Sequence, residues 1–305
     1  MNSSHAGRTR PYRIGAGVRS DDLATFGALA DMAAAGRIDH IQILLIPGPE
    51  GPFRTRLDAV ASSGAPVIVH APHHGQGVNP CDPDAALCGR DRAAAVAWTE
   101  RAMRQAYETA DRTGAPYIVL HPGTYRRGTR EDAIIRIRDF LDDHRDRRIL
   151  LENLPEVYDQ SRFIGTTAAE LWRIGQGRVR GYCLDFAHLS CAANACGRSF
   201  LRELAAFDTL RVAFCHLSNM RSGSVRDEHL ALDHPEGGLD FSAVMAFLRR
   251  RPRVQISLEY KENDPGVYER QIRVFDAIYR RCASPGAPRP PGRPQRAELR
   301  RNRRR

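Results

Sequence analysis

Six short apolar runs in this 305-residue chain each deliver a histidine or a carboxylate at or near their ends. His70 closes VIVH and His121 closes YIVLH, while Glu152 sits in ILLEN, Asp185 in YCLDF, His216 in VAFCH and Glu259 in ISLEY. Three more residues of the same types lie beside them. His188 follows Asp185 by three positions, and Asp227 and His229 alternate within RDEHL, after His216. An unpaired carboxylate inside an apolar run is costly to bury, so Glu152, Asp185 and Glu259 call for cationic partners. Mixed His/Asp/Glu ligation without Cys suits Zn2+, Mn2+ or Fe2+. Five histidines and four carboxylates exceed what one ion can use. Two or three divalent ions are therefore expected, with Glu152 bridging. Ions held roughly 3.5–4 Å apart can make water nucleophilic near neutral pH and clamp both oxygens of an in-line phosphoryl displacement.

Side residues extend the set. His73 and His74, in HAPHHG, and Arg221, soon after His216, are candidates for substrate contact. Asn153, next to Glu152, and Asn219, near His216, are candidates for polar contact with ligand groups or substrate. Arg126, Arg127 and Arg130 could hold an anion from the loop after His121. Trp98 and Trp172 read as packing residues on helices.

The elements that must position these groups follow from the apolar pattern. Continuous runs that suit buried parallel strands occur at 13–16, 40–46, 67–71, 117–121, 149–153, 182–186, 212–217 and 254–260. Helical segments alternate with them. Residues 21–35 follow Ser20 and stop at Gly36, 91–113 stop at Gly114, and 129–144 open on a capping-box pattern at Thr129. Further helices are expected at 166–174, 199–207, 240–250 and 265–281, with a weaker one at 54–62. Eight strands alternating with helices predict an α/β fold, a single-domain (β/α)8 TIM barrel spanning residues 12–283. The rim where such strands end is where barrel active sites form, and it is where the nine residues fall.

Charge and composition set the outer limits. The net charge is +10. Residues 285–305 carry eight Arg and one Glu, and residues 1–13 add three Arg, so the body between them is neutral. The Pro/Gly/Arg tail, 284–305, and the lead, 1–11, are expected to be disordered. No run approaches the ~18 apolar residues of a membrane helix, and the seven Cys form no CxxC pair. A soluble, cytoplasmic protein without membrane contact is expected, its oligomeric state open.

The segments VLHPG, LLENLP, GYCLDFAHLSCAAN, CHLSNMRSGSVRDEHLAL and ISLEY resemble the xylose isomerase-like TIM-barrel superfamily, and within it the endonuclease IV branch. The likeness covers most of residues 12–282. It implies a trinuclear site whose nine ligand positions are those named above. Sugar isomerases and epimerases of the superfamily keep a smaller set, here Glu152, Asp185, His216 and Glu259, with His188 near the substrate. The sequence departs from endonuclease IV in the loop HAPHHGQGVNPCDP, which lacks that branch's Tyr, and in DHPEGGLDF and HLSN.

The primary expectation is a metal-dependent hydrolase acting on a phosphoester, whether a nucleotide, a small phosphoester or damaged DNA. Glu152 would bridge the ions, Glu259 would orient the attacking water, and His188 would sit at the reaction centre. Nucleic acid would then be gripped through the Arg-rich tail, since duplex binding needs several cationic contacts that a neutral body lacks. The alternative is a sugar or cyclitol isomerase, epimerase or dehydratase moving a proton with Glu152 and Glu259, or an iron-dependent oxidative variant. A metal-stabilised barrel without catalysis is a third reading, disfavoured because structural sites are usually closed.

Overall fold

The computed structural model describes residues 10–85, 89–126, 128–158, 161–261 and 264–282. The lead, 1–9, and the tail, 284–305, lie outside the described residues, as do Cys88 and Arg127.

Eight parallel strands close into a barrel: β1 (Arg13–Arg19), β2 (His40–Leu44), β3 (Val67–His70), β4 (Ile118–Leu120), β5 (Ile149–Glu152), β6 (Gly181–Asp185), β7 (Val212–Leu217) and β8 (Gln255–Leu258). Each pairs with the next in sequence, and β8 returns to β1 with Arg13 opposite Gln255. The described helices are α1 (Leu23–Ala34), α2 (Glu50–Ser62), α3 (Arg92–Thr113), α4 (Arg130–Asp143), α5 (Ala168–Gly175), α6 (Phe186–Ala195), α7 (Phe200–Ala206), α8 (Phe241–Arg249) and α9 (Pro265–Arg281). Their starts follow local chemistry. Asp22, Asp91, Thr129, Thr167, Ser199, Asp240 and Asp264 each accept a backbone N–H of the following turn. Thr129 and Asp132 complete the capping box.

Side chains two apart on a strand share a face. One face of the strands packs against the helices, and the other fills the barrel. Ile68, Val119, Leu150, Cys183 and Phe214, one from each of β3 to β7, form a separate buried cluster. Two residues further along each strand direction come His70, His121, Glu152, Asp185 and His216. The same spacing takes Ser257 on β8 to Glu259 and His40 on β2 to Gln42. An apolar plug therefore lies beneath a polar layer, and the strand period alone directs both into the barrel. Gly15 is required here: a Cβ on it would come within 2.4 Å of the His40 carbonyl oxygen and 2.5 Å of the His40 ring.

Three features depart from the sequence reading. Helix α6 is absent from the periodic pattern, because its residues are buried on nearly every side and leave no amphipathic stripe. Helix α2 begins at Glu50, earlier than expected, after Pro49. Trp172 is 53% exposed and does not serve as packing. A small antiparallel sheet of Thr124–Tyr125, Val157–Tyr158 and Ser161–Phe163 joins the loops after β4 and β5. No described helix is long and apolar enough to cross a membrane.

Candidate metal centre

All nine His and carboxylate candidates converge at the C-terminal rim. His70, Glu152 and Asp185 end their strands, His216 lies next to last on β7, and His121 and Glu259 follow theirs directly. Asp185 also caps α6, accepting the His188 backbone N–H at 2.7 Å, so one carboxylate sets the start of the helix that carries His188. Asp227 and His229 come from the loop 218–239. That loop is folded back by bridges pairing Asn219 with Leu230 and Arg221 with Gly237. His229 has φ 50°, a left-handed conformation uncommon outside glycine, of the kind that collects at functional sites.

Glu152 stands at the centre with its two oxygens divided. Its Oε2 lies 3.3 Å from His70 Nε2 and 3.1 Å from His121 Nε2. Its Oε1 lies 3.0 Å from His216 Nδ1 and 3.2 Å from His188 Nδ1. Asp185 Oδ2 joins the second side, 4.0 Å from His216 Nδ1. Asp227 Oδ2 lies 3.4 Å from His188 Nε2 and contacts His229 Nε2. Among the described residues, overlapping sets with ligand atoms close enough to share an ion are His70, Glu152 and His216; Glu152, Asp185 and His188; Asp185, His216 and Glu259; His188, Asp227 and His229; and, beside them, His73, His74 and His121.

The hydrogen bonds around the histidines fix which nitrogen each presents. His70 Nδ1 donates to the Ala71 carbonyl at 2.8 Å, leaving the Nε2 lone pair facing Glu152. His188 Nδ1 donates to the Asn153 carbonyl at 2.9 Å, leaving Nε2 toward Asp227. His216 Nε2 donates to Gln42 Oε1 at 2.8 Å, leaving Nδ1 toward Glu152 and Asp185. Were these imidazoles neutral, a lone pair would meet a carboxylate oxygen in each case, which repels unless a proton or a metal ion sits between them. Among the described residues no Arg or Lys pairs with Glu152, Asp185, Asp227 or Glu259; their ion pairs are all to histidines. Asp185 Oδ2, Asp227 Oδ1, His121 Nδ1 and His229 Nδ1 are buried without a hydrogen-bond partner. The donor set and these orphaned atoms fit divalent ions.

Electrostatics agree. Burial opposes charge on His216, but Glu152 and Glu259 outweigh it and push the pKa up to about 9. His229 is likewise pushed up to about 9 against burial, mainly by Asp227. Burial lifts Asp185 to about 6. Glu152 is held well below the usual carboxylate range by His216 and His121, which overcome its burial. Without resident cations, the carboxylates recruit protons onto the histidines.

A pocket of about 290 Å³ opens over this layer. His73 and His74 line it together with Leu154, Phe163 and Tyr268. His73 caps a short 3-10 turn, accepting the Gly75 N–H on Nδ1, which leaves its Nε2 as an N–H donor.

Asn153, Asn219 and Arg221 depart from the substrate-contact expectation. Asn153 is fully buried and spans to Asp185, accepting its backbone N–H and donating to its carbonyl. Asn219 is consumed by Leu232, Met220 and Leu239 backbone groups. Arg221 is exposed and clamped by Glu228 and Glu236. None of the three lines the pocket. Arg130, too, is tied up, by Glu156 and Glu170. The sequence reading missed Gln42, which accepts from His216 and donates to Glu259 Oε1. The usable signal was position, since Gln42 occupies on β2 the place that the candidate ligands occupy on β3 to β8.

A model described as xylose isomerase-like TIM barrel matches residues 29–278. The chain belongs to that family. Among its relatives is a probable endonuclease 4 of Solibacter usitatus (strain Ellin6076), 31% identical over 204 residues, or 58% of this chain and 67% of that protein. Solved folds similar to this family member include a D-tagatose 3-epimerase-like protein, with TM-score 0.61 and 19% identity over 88% of this chain and 98% of the other. Endonuclease IV from Thermus thermophilus gives TM-score 0.58 and 22% identity over 88% and 99%. The structural likenesses establish the fold.

Proposed function

We propose that this xylose isomerase-like barrel is a multinuclear metal-dependent hydrolase of phosphoesters, working in a reducing, cytoplasmic compartment. The division of Glu152 carries the reading. One oxygen serves the His70/His121 side and the other the His216/Asp185 side, as a bridge between two ions requires. The His188/Asp227/His229 group would offer a third position. Zn2+, Mn2+ or Fe2+ bound there would neutralise phosphoryl oxygens and supply a nucleophile near neutral pH.

The chain's own residues would do the rest. Glu259, held at Oε1 by Gln42, keeps its other oxygen available to orient water and take its proton. His188, anchored through Nδ1, faces the pocket beside Asp227. His73 would offer its Nε2–H to a substrate oxygen. The pocket volume favours a small phosphoester or nucleotide over continuous duplex DNA.

That same volume supports a second reading, proton transfer on a small sugar by Glu152 and Glu259. Metal content separates the two. Purified protein is expected to carry two or three equivalents by elemental analysis, and Asp227→Ala or His229→Ala to lose one. A single equivalent surviving both substitutions would favour the isomerase reading.

A further inference from the structure

We infer that Lys261 is an anion-binding residue of the pocket, which deepens the hydrolytic reading by assigning the substrate a phosphate or other anionic group on this side. The first ground is composition. Lys261 is the single Lys in the chain; the other 45 basic positions are Arg. The second is place. That one Lys lies two residues after Glu259 and lines the pocket over the ligand layer.

The third ground is availability. Arg19 also lines the pocket, but Asp21 grips it through two hydrogen bonds, at 2.9 and 2.7 Å. Lys261 is exposed and forms no ion pair among the described residues. Among the described residues, its charge is therefore uncommitted.

Chemistry explains why Lys stands here. A guanidinium presents a planar fork that binds carboxylates bidentately, whereas an ammonium is a compact point charge. Arg side chains of this protein clamp carboxylates in pairs, as Arg130 does with Glu156 and Glu170 and Arg221 with Glu228 and Glu236. An Arg at position 261 would bring that fork to the pocket shared by Glu259 and Asp227, whose oxygens the ions need. Lys supplies the positive charge with weaker competition for those oxygens.

Being the chain's single ε-amine, Lys261 can be tested directly. Full-length, metal-loaded protein is treated with pyridoxal 5′-phosphate, or with pyridoxal, which has the same aldehyde without the phosphate. The amine condenses with the aldehyde, water leaves, and borohydride reduces the imine to a stable adduct located by peptide mass spectrometry. The phosphorylated reagent is expected to label Lys261 at least about tenfold faster. Inorganic phosphate should suppress that labelling with saturation, and the N-terminal amine should show neither effect. Equal rates for the two aldehydes, or labelling indifferent to phosphate, overturn the assignment.

As a second measurement, Lys261→Gln should weaken inorganic phosphate binding about tenfold by calorimetry, with metal content unchanged. Unchanged phosphate affinity likewise overturns it. Lys261-dependent phosphate binding without phosphoester hydrolysis would retire the hydrolytic reading alone. Hydrolysis and phosphate binding unaffected by Lys261→Gln would retire only this inference.

Discussion

His216 shows how a single side chain is made ready to serve as a ligand. Gln42 takes its Nε2–H, so Nδ1 must face Glu152 and Asp185, and the same Gln42 amide holds Glu259. Residues that orient a ligand histidine commonly contribute 10- to 100-fold in metal affinity. Gln42→Ala is accordingly expected to weaken one ion about 10- to 100-fold in competition with a chelator, while the far group, His188, Asp227 and His229, still fills. The histidines also set a pH signature. His216 and His229 have pKa values raised to about 9, above the free value of 6.5. In metal-free protein their contribution to stability is fully present below pH 6.5 and lost as pH rises through about 9. The melting temperature of chelator-treated protein should fall between about pH 6.5 and 9.5, whereas ion-loaded protein should lack that decline. Ion binding at about pH 7 should release protons, seen as a buffer-dependent heat. A flat metal-free profile would contradict this pairing of charged histidines with carboxylates.

At the scale of elements, the strands fix six of the nine candidate ligands, whereas a loop and a helix start fix the other three. Loop 218–239 is pinned by Asn219, which bonds to the backbone at Leu232, Met220 and Leu239. Gly237 leaves room for it: a Cβ there would fall 2.0 Å from Asn219 Nδ2. Removing a buried partner of several backbone groups costs about 1–3 kcal/mol per group left unsatisfied. Asn219→Ala should thus lower stability by about 2–3 kcal/mol in urea titration and selectively deplete the Asp227/His229 ion. Equal loss of all ions would mean that the loop and barrel positions are not separable. In the segment after β5, Arg130 binds Glu156, Glu170 and Thr166, bracing the stretch that brings Leu154 and Phe163 to the pocket.

For the whole molecule, charge and chemistry occupy different places. Residues 14–284 are neutral, and the excess positive charge lies in residues 1–13 and 285–305. Eight tail arginines can neutralise several phosphates, each steepening the salt dependence by about 0.9 in log–log slope. Deleting residues 285–305 should abolish most non-specific duplex affinity at low salt and flatten its salt dependence, while metal content stays the same. Duplex binding that survives the deletion with its slope intact would place the contact on the barrel.

The barrel and the convergence of the nine candidates at its rim were legible in the residue order because strand period and strand ends are local properties. Eight apolar runs spaced by capped helices admit few closures, and a His or carboxylate at the end of six of them marks the rim. Helix α6 was not legible, since burial on nearly every side erases the periodic stripe that announces a surface helix. Gln42 was missed because an amide is not a typical ligand type, and only closure of β2 beside β1 and β3 brings it to His216 and Glu259. Arg221 and Asn219 looked available in sequence; the fold spends one on Glu228 and Glu236 and the other on three backbone groups. The sequence by itself determined which atoms could bind metal. Tertiary structure decided which lone pairs remain unopposed, because donors and acceptors from distant segments meet only after folding.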